Sequence, residues 1–243
     1  TTGKLNTAIG AGALQANTTG VRNTAVGYEV LDTNTTGNYN TGIGYSAMYS
    51  LTGGSGNTAL GYNAMYYGTS SAYNTAVGNA ALQDIVTGGC NVAIGNLALF
   101  DTTVGGNNVG IGVDAGKFNT TGNNNVFVGP QAGCCNTTSS YNTGIGRMAL
   151  CGSTGDLNVA VGNRALQCNT GDQNVAVGGS ALGGNTSGAK NTASGYQALN
   201  DNTTGNCNTA SGFYSLTKNT TGIESTAVGS RALLNNTTGC VNA

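Results

Sequence analysis

Apolar residues recur along this chain in a fixed motif, Asn-Thr/Val-Ala/Gly-Ile/Val-Gly, followed by a small residue, in 12 copies a large apolar one, and then a corner that reads Asn-Thr-Thr-Gly most clearly at residues 17–20, 34–37, 119–122, 202–205, 219–222 and 236–239. With the leading Asn as position zero, the register opens at Asn6, Asn23, Asn40, Asn57, Asn74, Asn91, Asn108, Asn125, Asn142, Asn158, Asn174, Asn191 and Asn208. Ser225 takes the Asn place once, and Asn242 opens a further copy. The step is 17 residues except for two steps of 16 between Asn142 and Asn174. A fixed period of this length marks a repeat architecture, and it organises residues 1–243 as a single array.

Within one copy, position three is Ile, Val or Leu except at Ser194 and Ser211. Position one is always Thr or Val, and position five holds Tyr28, Tyr45, Tyr62, Tyr196 and Phe213. Positions one, three and five share one face of a β-strand, and the pattern predicts that this face lines the core. On the opposite face, position two is Ala or Gly in every copy but that of Phe127. Position four is Gly throughout: Gly10, Gly27, Gly44, Gly61, Gly78, Gly95, Gly112, Gly129, Gly146, Gly162, Gly178, Gly195, Gly212 and Gly229. Gly weakens a strand unless another backbone comes close, so close packing is predicted on that face.

After the strand, Asn-Thr-Thr-Gly reads as a corner, because Asn and Gly tolerate tight-turn conformations. β-Branched residues, Asn and Gly form helices poorly. The fold class is therefore all-β: a parallel β-solenoid (β-roll or β-helix) of about 14 coils of 17 residues, with identical side chains stacked about 4.8 Å apart and a length on the order of 65–70 Å. Two large apolar side chains per coil bury little against the entropy of ordering the whole coil. That imbalance points to several chains pooling their cores, most simply as a trimer joined through the Ala/Gly face.

Composition narrows the function. The chain has no His, one Pro, 42 Gly, and 7% charged residues at a formal charge of −1. Disorder goes with high charge, whereas here the period is kept. No apolar run is long enough for a membrane helix, no leader peptide is seen, and no basic cluster suggests nucleic acid. The chain begins and ends inside repeats, so a segment of a longer protein, or an array without caps, is expected.

The stretches "NTAIGAGAL", "NTAVGNAAL", "NTALGYNAM" and "NVAVGNRAL" resemble the head repeats of trimeric autotransporter adhesins. Still closer are the N-T-A-x-G-x-x-A-L…N-T-T-G arrays of bacterial and phage tail-fibre-type proteins, and the resemblance covers the whole chain. It implies trimeric parallel β-rolls on a cell or virion surface, acting as structural spacers and adhesive shafts, with cell-surface glycan or protein as partner. Two departures stand out: Thr often occupies the first column where the adhesin heads place Val, and the coil is longer than theirs.

Little catalytic chemistry is on offer. Without His, Ser-His-Asp and Cys-His arrangements cannot form, and the acidic residues, including Asp156 and Asp172 in the 16-residue steps, sit in scattered columns. A break there lined by carboxylates would suit a glycan-binding or glycan-cleaving β-helix. No recurrent Asp column offers stacked calcium sites, and no metal or cofactor is predicted. "GIGVDAGKF", Gly110 to Phe118, approaches a phosphate loop, but its first Gly is one place too far and Phe118 stands where Ser or Thr would hold magnesium.

Cys134 and Cys151 stand nine residues after their Asn in neighbouring copies, and Cys168 lies diagonally in the next. Stacking brings such pairs within disulfide reach, although a small residue in a tight coil explains them equally. Sequons at Asn17, Asn34, Asn119, Asn136, Asn185, Asn202, Asn219 and Asn236 permit N-glycosylation, and the turn alone explains the same residues. The first Thr of the corner, from Thr18 to Thr237, forms a file broken only by Val86. Such a file suggests an alternative, an ice-binding solenoid, though adjacent Thr18 and Thr19 should point to opposite sides.

Overall fold

The computed structural model describes residues 2–242, with fourteen strands and no helix among them. The chain divides into two compact units, Thr1–Asn123 and Asn124–Ala243. The first contains β1 (Thr7–Ile9), β2 (Thr24–Tyr28), β3 (Thr41–Tyr45), β4 (Thr58–Leu60), β5 (Thr75–Val77), β6 (Val92–Ile94) and β7 (Val109–Ile111). The second contains β8 (Val126–Val128), β9 (Thr143–Ile145), β10 (Val159–Val161), β11 (Val175–Val177), β12 (Thr192–Ser194), β13 (Thr209–Ser211) and β14 (Thr226–Val228). Successive strands of each unit pair in parallel with the repeat columns aligned, Thr24 on Thr41 and Val26 on Ile43 in one, Val159 on Val175 and Val161 on Val177 in the other. One circuit of chain joins each strand to the next, so each unit is a parallel β-solenoid.

The alternation along each strand is as the pattern predicts, but the two faces are exchanged. Position three points outward: Ile9, Ile43, Leu60, Ile94, Ile111, Ile145, Val177 and Val228 are 36–73% exposed. Position two points inward, where Ala25, Ala76, Ala160 and Ala193 are wholly buried. The reason is clearance. A methyl group added at Gly42 would come within 2.5 Å of Val30 Cγ1 and 3.1 Å of Met48 Cε, and one at Gly110 within 2.7 Å of Leu99 Cγ. Inside so narrow a coil, only Ala or Gly fits opposite the large residues of position eight and Val30 of position seven. Phe127 obeys the same constraint: it is fully buried at position two, and Gly133 stands at position eight of the same coil, where any side chain would collide with the Phe127 ring. In that coil, volume is exchanged across the interior.

The interior also closes within one chain. Leu31, Met48, Leu82, Leu166 and Leu199 are completely buried without any partner chain, which removes the argument for pooled cores. Nor is a neighbouring molecule needed to explain the small face. The position-four glycines have φ between +118° and +142°, and a Cβ on Gly95 would lie 2.6 Å from the carbonyl oxygen of Gly112 in the next coil. The close approach predicted there is that of one coil upon the next.

The bends after and before the strand, outside the Asn-Thr-Thr-Gly corner, are built from left-handed residues, most of which are not glycine. Positions six, eight and sixteen take φ near +50° to +60° in most coils, as at Glu29, Leu31 and Tyr39. For Leu this conformation costs on the order of 1–2 kcal/mol, which burial of its side chain offsets.

Two asparagine ladders hold the circuit closed. The position-zero Asn donates from Nδ2 to the carbonyl of the corner Gly fourteen residues on, and its Oδ1 accepts the backbone N–H of the next Asn, as from Asn40 to Gly54 and from Asn57 N to Asn40 Oδ1. The Asn of Asn-Thr-Thr-Gly donates to the Gly three residues later and to the same Asn of the preceding coil, as Asn202 does to Gly205 and Asn185. In the 16-residue coils the missing residue is the second Thr of the corner. Asn158 N still reaches Asn142 Oδ1 at 2.9 Å, so the deletion is absorbed outside the interior.

Candidate functional site

The exchange of faces creates the most prominent surface of the molecule. In the first unit, position three presents Ile9, Val26, Ile43, Leu60, Val77, Ile94 and Ile111 without a break along one side of a flat parallel sheet. The file of position one runs beside it, Thr7 to Thr75 and then Val92 and Val109. On the other side, Tyr28, Tyr45 and Tyr62 stack face to face at 4.9 and 5.3 Å between ring centroids. Because these rings use their faces on one another, they offer edges and hydroxyls outward. In the second unit the aliphatic file is interrupted by Ser194 and Ser211, Arg147 stands in the aromatic column, and Tyr196 stacks on Phe213 at 5.8 Å.

The corner Thr file is engaged elsewhere. Thr18 Oγ1 donates to the Thr35 carbonyl at 2.9 Å and Thr35 Oγ1 to Thr52 at 3.0 Å, with Thr203 and Thr220 continuing the scheme. Those hydroxyl protons lie along the stacking direction. The sequon asparagines Asn34, Asn119, Asn136, Asn185, Asn202 and Asn219 are buried, and Asn17 and Asn236 are half-buried. Each donates its Nδ2 to a Gly or Ser carbonyl three residues on. The nitrogen that a sugar would use thus faces the interior, and the turn accounts for these residues. The corner Asn, read as a surface turn former, is here a core residue.

Of the cysteines, Cys134 and Cys151 meet with 2.7 Å between sulfurs, and Cys135 lies 3.5 Å from Cys134. Cys168 is exposed, and the third member of the group is Cys135. The hydrogen bond from Cys134 brings the Cys151 thiol down to about 7, while the same contact and then burial push Cys134 upward.

The acidic residues of the 16-residue coils act as pins. Asp156 Oδ1 accepts the N–H of Ser140 and Asp172 Oδ1 that of Asp156, both at 2.8 Å. In the phosphate-loop-like stretch, Gly110 lies in β7, no helix follows, and Lys117 pairs with Asp114 at 3.4 Å. A surface pocket of about 270 Å³ in the second unit is lined by Asp201, Tyr214, Thr217, Lys218, Arg231 and Leu234. No helix among the described residues is long and apolar enough to cross a membrane. No protein-family model, no curated protein and no solved structure matches this chain.

Proposed function

We propose that this chain is the shaft of a homo-oligomeric extracellular fibre, on a cell or virion surface, in which copies pack through the outward sheet face. The observation that carries this reading is the unbroken aliphatic file of the first unit. Seven stretches about 4.8 Å apart, each running from position one to position five at about 3.3 Å per residue, give a face of about 550 Å². Exposed apolar patches of a few hundred Å² mark interaction sites, and two such faces together bury about 1,100 Å², near the lower bound for a specific interface. A second copy is the natural occupant, because the repeat spacing of one copy matches that of another along the whole face. The trimeric order rests on the resemblance to adhesin heads and tail fibres.

The test is native mass by light scattering coupled to size exclusion, for the natural chain and for Ile43→Lys/Ile94→Lys. The reading expects three chain masses of 24.0 kDa for the first and a single folded chain for the second. A monomeric natural chain would sink it.

Ice binding is the second reading. It is favoured by the outward Thr file from Thr7 to Thr75 in strand register, beside the aliphatic file, rather than by the corner file. Thermal hysteresis in a monomeric preparation would replace the fibre reading with this one.

A further inference from the structure

The three converging thiols of the second unit are outside anything a shaft requires. We infer that Cys134, Cys135 and Cys151 form a three-thiolate site for one soft, three-coordinate cation of the monovalent copper class. The cluster has a structural origin. Cys134 and Cys151 share position nine of adjacent coils, so stacking superimposes them, while Cys135 follows where the corner turns the chain and returns its sulfur to the same place. All three sulfurs lie within 4.8 Å of one another.

A cation about 2.3 Å from each of three sulfurs in one plane needs sulfurs about 4 Å apart. The Cys134–Cys135 distance of 3.5 Å is near this, and the Cys134–Cys151 pair at 2.7 Å has to open by a little over an ångström. Two sulfurs so close without a bond are crowded, and a cation between them relieves the crowding. A disulfide would use two of the three sulfurs; a cation uses all three. The donor set selects the ion. Thiolates favour soft metals, and the group includes no carboxylate to serve as the fourth ligand that zinc prefers, while the chain has no His at all. Cys135 is exposed and Cys151 half-buried, which leaves an entry path.

The experiment uses the full chain, reduced and kept anaerobic, with Cys90→Ser, Cys168→Ser, Cys207→Ser and Cys240→Ser removing the remaining thiols. It is titrated with Cu(I) against a chromophoric Cu(I) chelator. One cation per chain should be retained, and adding Cys135→Ser should weaken retention at least about tenfold with the β circular dichroism and melting unchanged, since that side chain is exposed. No retention against the chelator, or equal affinity after Cys135→Ser, would overturn the site. Zn²⁺ as the probe should be held less tightly than Cu(I); equal or tighter retention would overturn the three-coordinate assignment.

Discussion

The two units run the same repeat but treat its corner differently. In the first, the Asn of Asn17 and Asn34 gives way to Leu51, Gly68, Ile85 and Thr102 before returning at Asn119; in the second, only Ser153 interrupts a series of asparagines from Asn136 to Asn236. Leu51 and Ile85 are fully buried and join the apolar core. The effect on polar neighbours is direct. Asn34 Oδ1 has no partner, because the next coil offers Leu51 in place of an amide donor, whereas Asn185 Oδ1 receives Asn202 Nδ2 at 2.7 Å. Among the described residues, Asp32, Asn34, Asn63, Ser71, Asp84, Thr102 and Asp114 of the first unit hold buried polar atoms without a hydrogen bond, against Ser153 in the second. A corner can thus be closed by apolar filling or by an amide ladder, and switching between them leaves a polar atom stranded at the join.

The largest expected effect ignores this difference. Gly95→Val and Gly195→Val each force a β-branched side chain into a left-handed backbone and against the carbonyl of the next coil. Each should cost more than about 3 kcal/mol and abolish amide-exchange protection in its own unit. A melting curve unchanged by either would contradict the coil-on-coil contact. Next, Asn202→Leu breaks the ladder by removing the donor to Asn185 and the acceptor for Asn219. It should cost about 2–4 kcal/mol in denaturant unfolding. The reciprocal Leu51→Asn supplies Asn34 with a donor, which offsets part of the lost Leu burial, and should cost about 2 kcal/mol; a loss larger than that of Asn202→Leu would mean that the two corners do not differ in this way.

Smaller still is the effect of Ser194→Val/Ser211→Val, which restores the aliphatic file in the second unit. By added apolar burial of about 1 kcal/mol, self-association measured by sedimentation should tighten several-fold. The smallest effect concerns protons. Burial raises the carboxyls of Asp32, Asp84 and Asp101, all in the first unit, with Glu29 and Asp101 adding to the shift at Asp32 and Asp84 respectively. Folding therefore favours their protonated forms. This contribution is fully present below the ordinary Asp value of 3.8 and disappears as pH rises through the raised folded values. Amide protection of the first unit should fall slightly over that upward step, and Asp84→Asn/Asp101→Asn should flatten the response.

Much of this was legible in the sequence: the period, the strand, the corner and the parallel stacking all follow from residues 6 to 239. The side that faces inward did not. A period of two divides a strand into two faces without saying which is buried, and hydrophobicity alone chose the larger residues. The pairing of Phe127 with Gly133 held the answer, since a large residue tolerated on the small face only beside a vacated Leu place is a statement about shared volume. The left-handed leucines had no signal, because Leu has no preference for that conformation and only the closure of the coil imposes it. The thiol group was half legible, as position counting paired Cys134 with Cys151 but could not see the corner bring in Cys135.

The corner that loses its second Thr between Asn142 and Asn174 while the Asn-to-Asn bonds persist has an evolutionary consequence. Register is stored coil by coil, so the gain or loss of a whole 17-residue copy leaves the interior pattern of the remaining coils in place. Single-residue losses are tolerated at the outer corner, as the two 16-residue coils show. Coil number is then a trait that natural selection can adjust in discrete steps, without having to rediscover how the coil is packed.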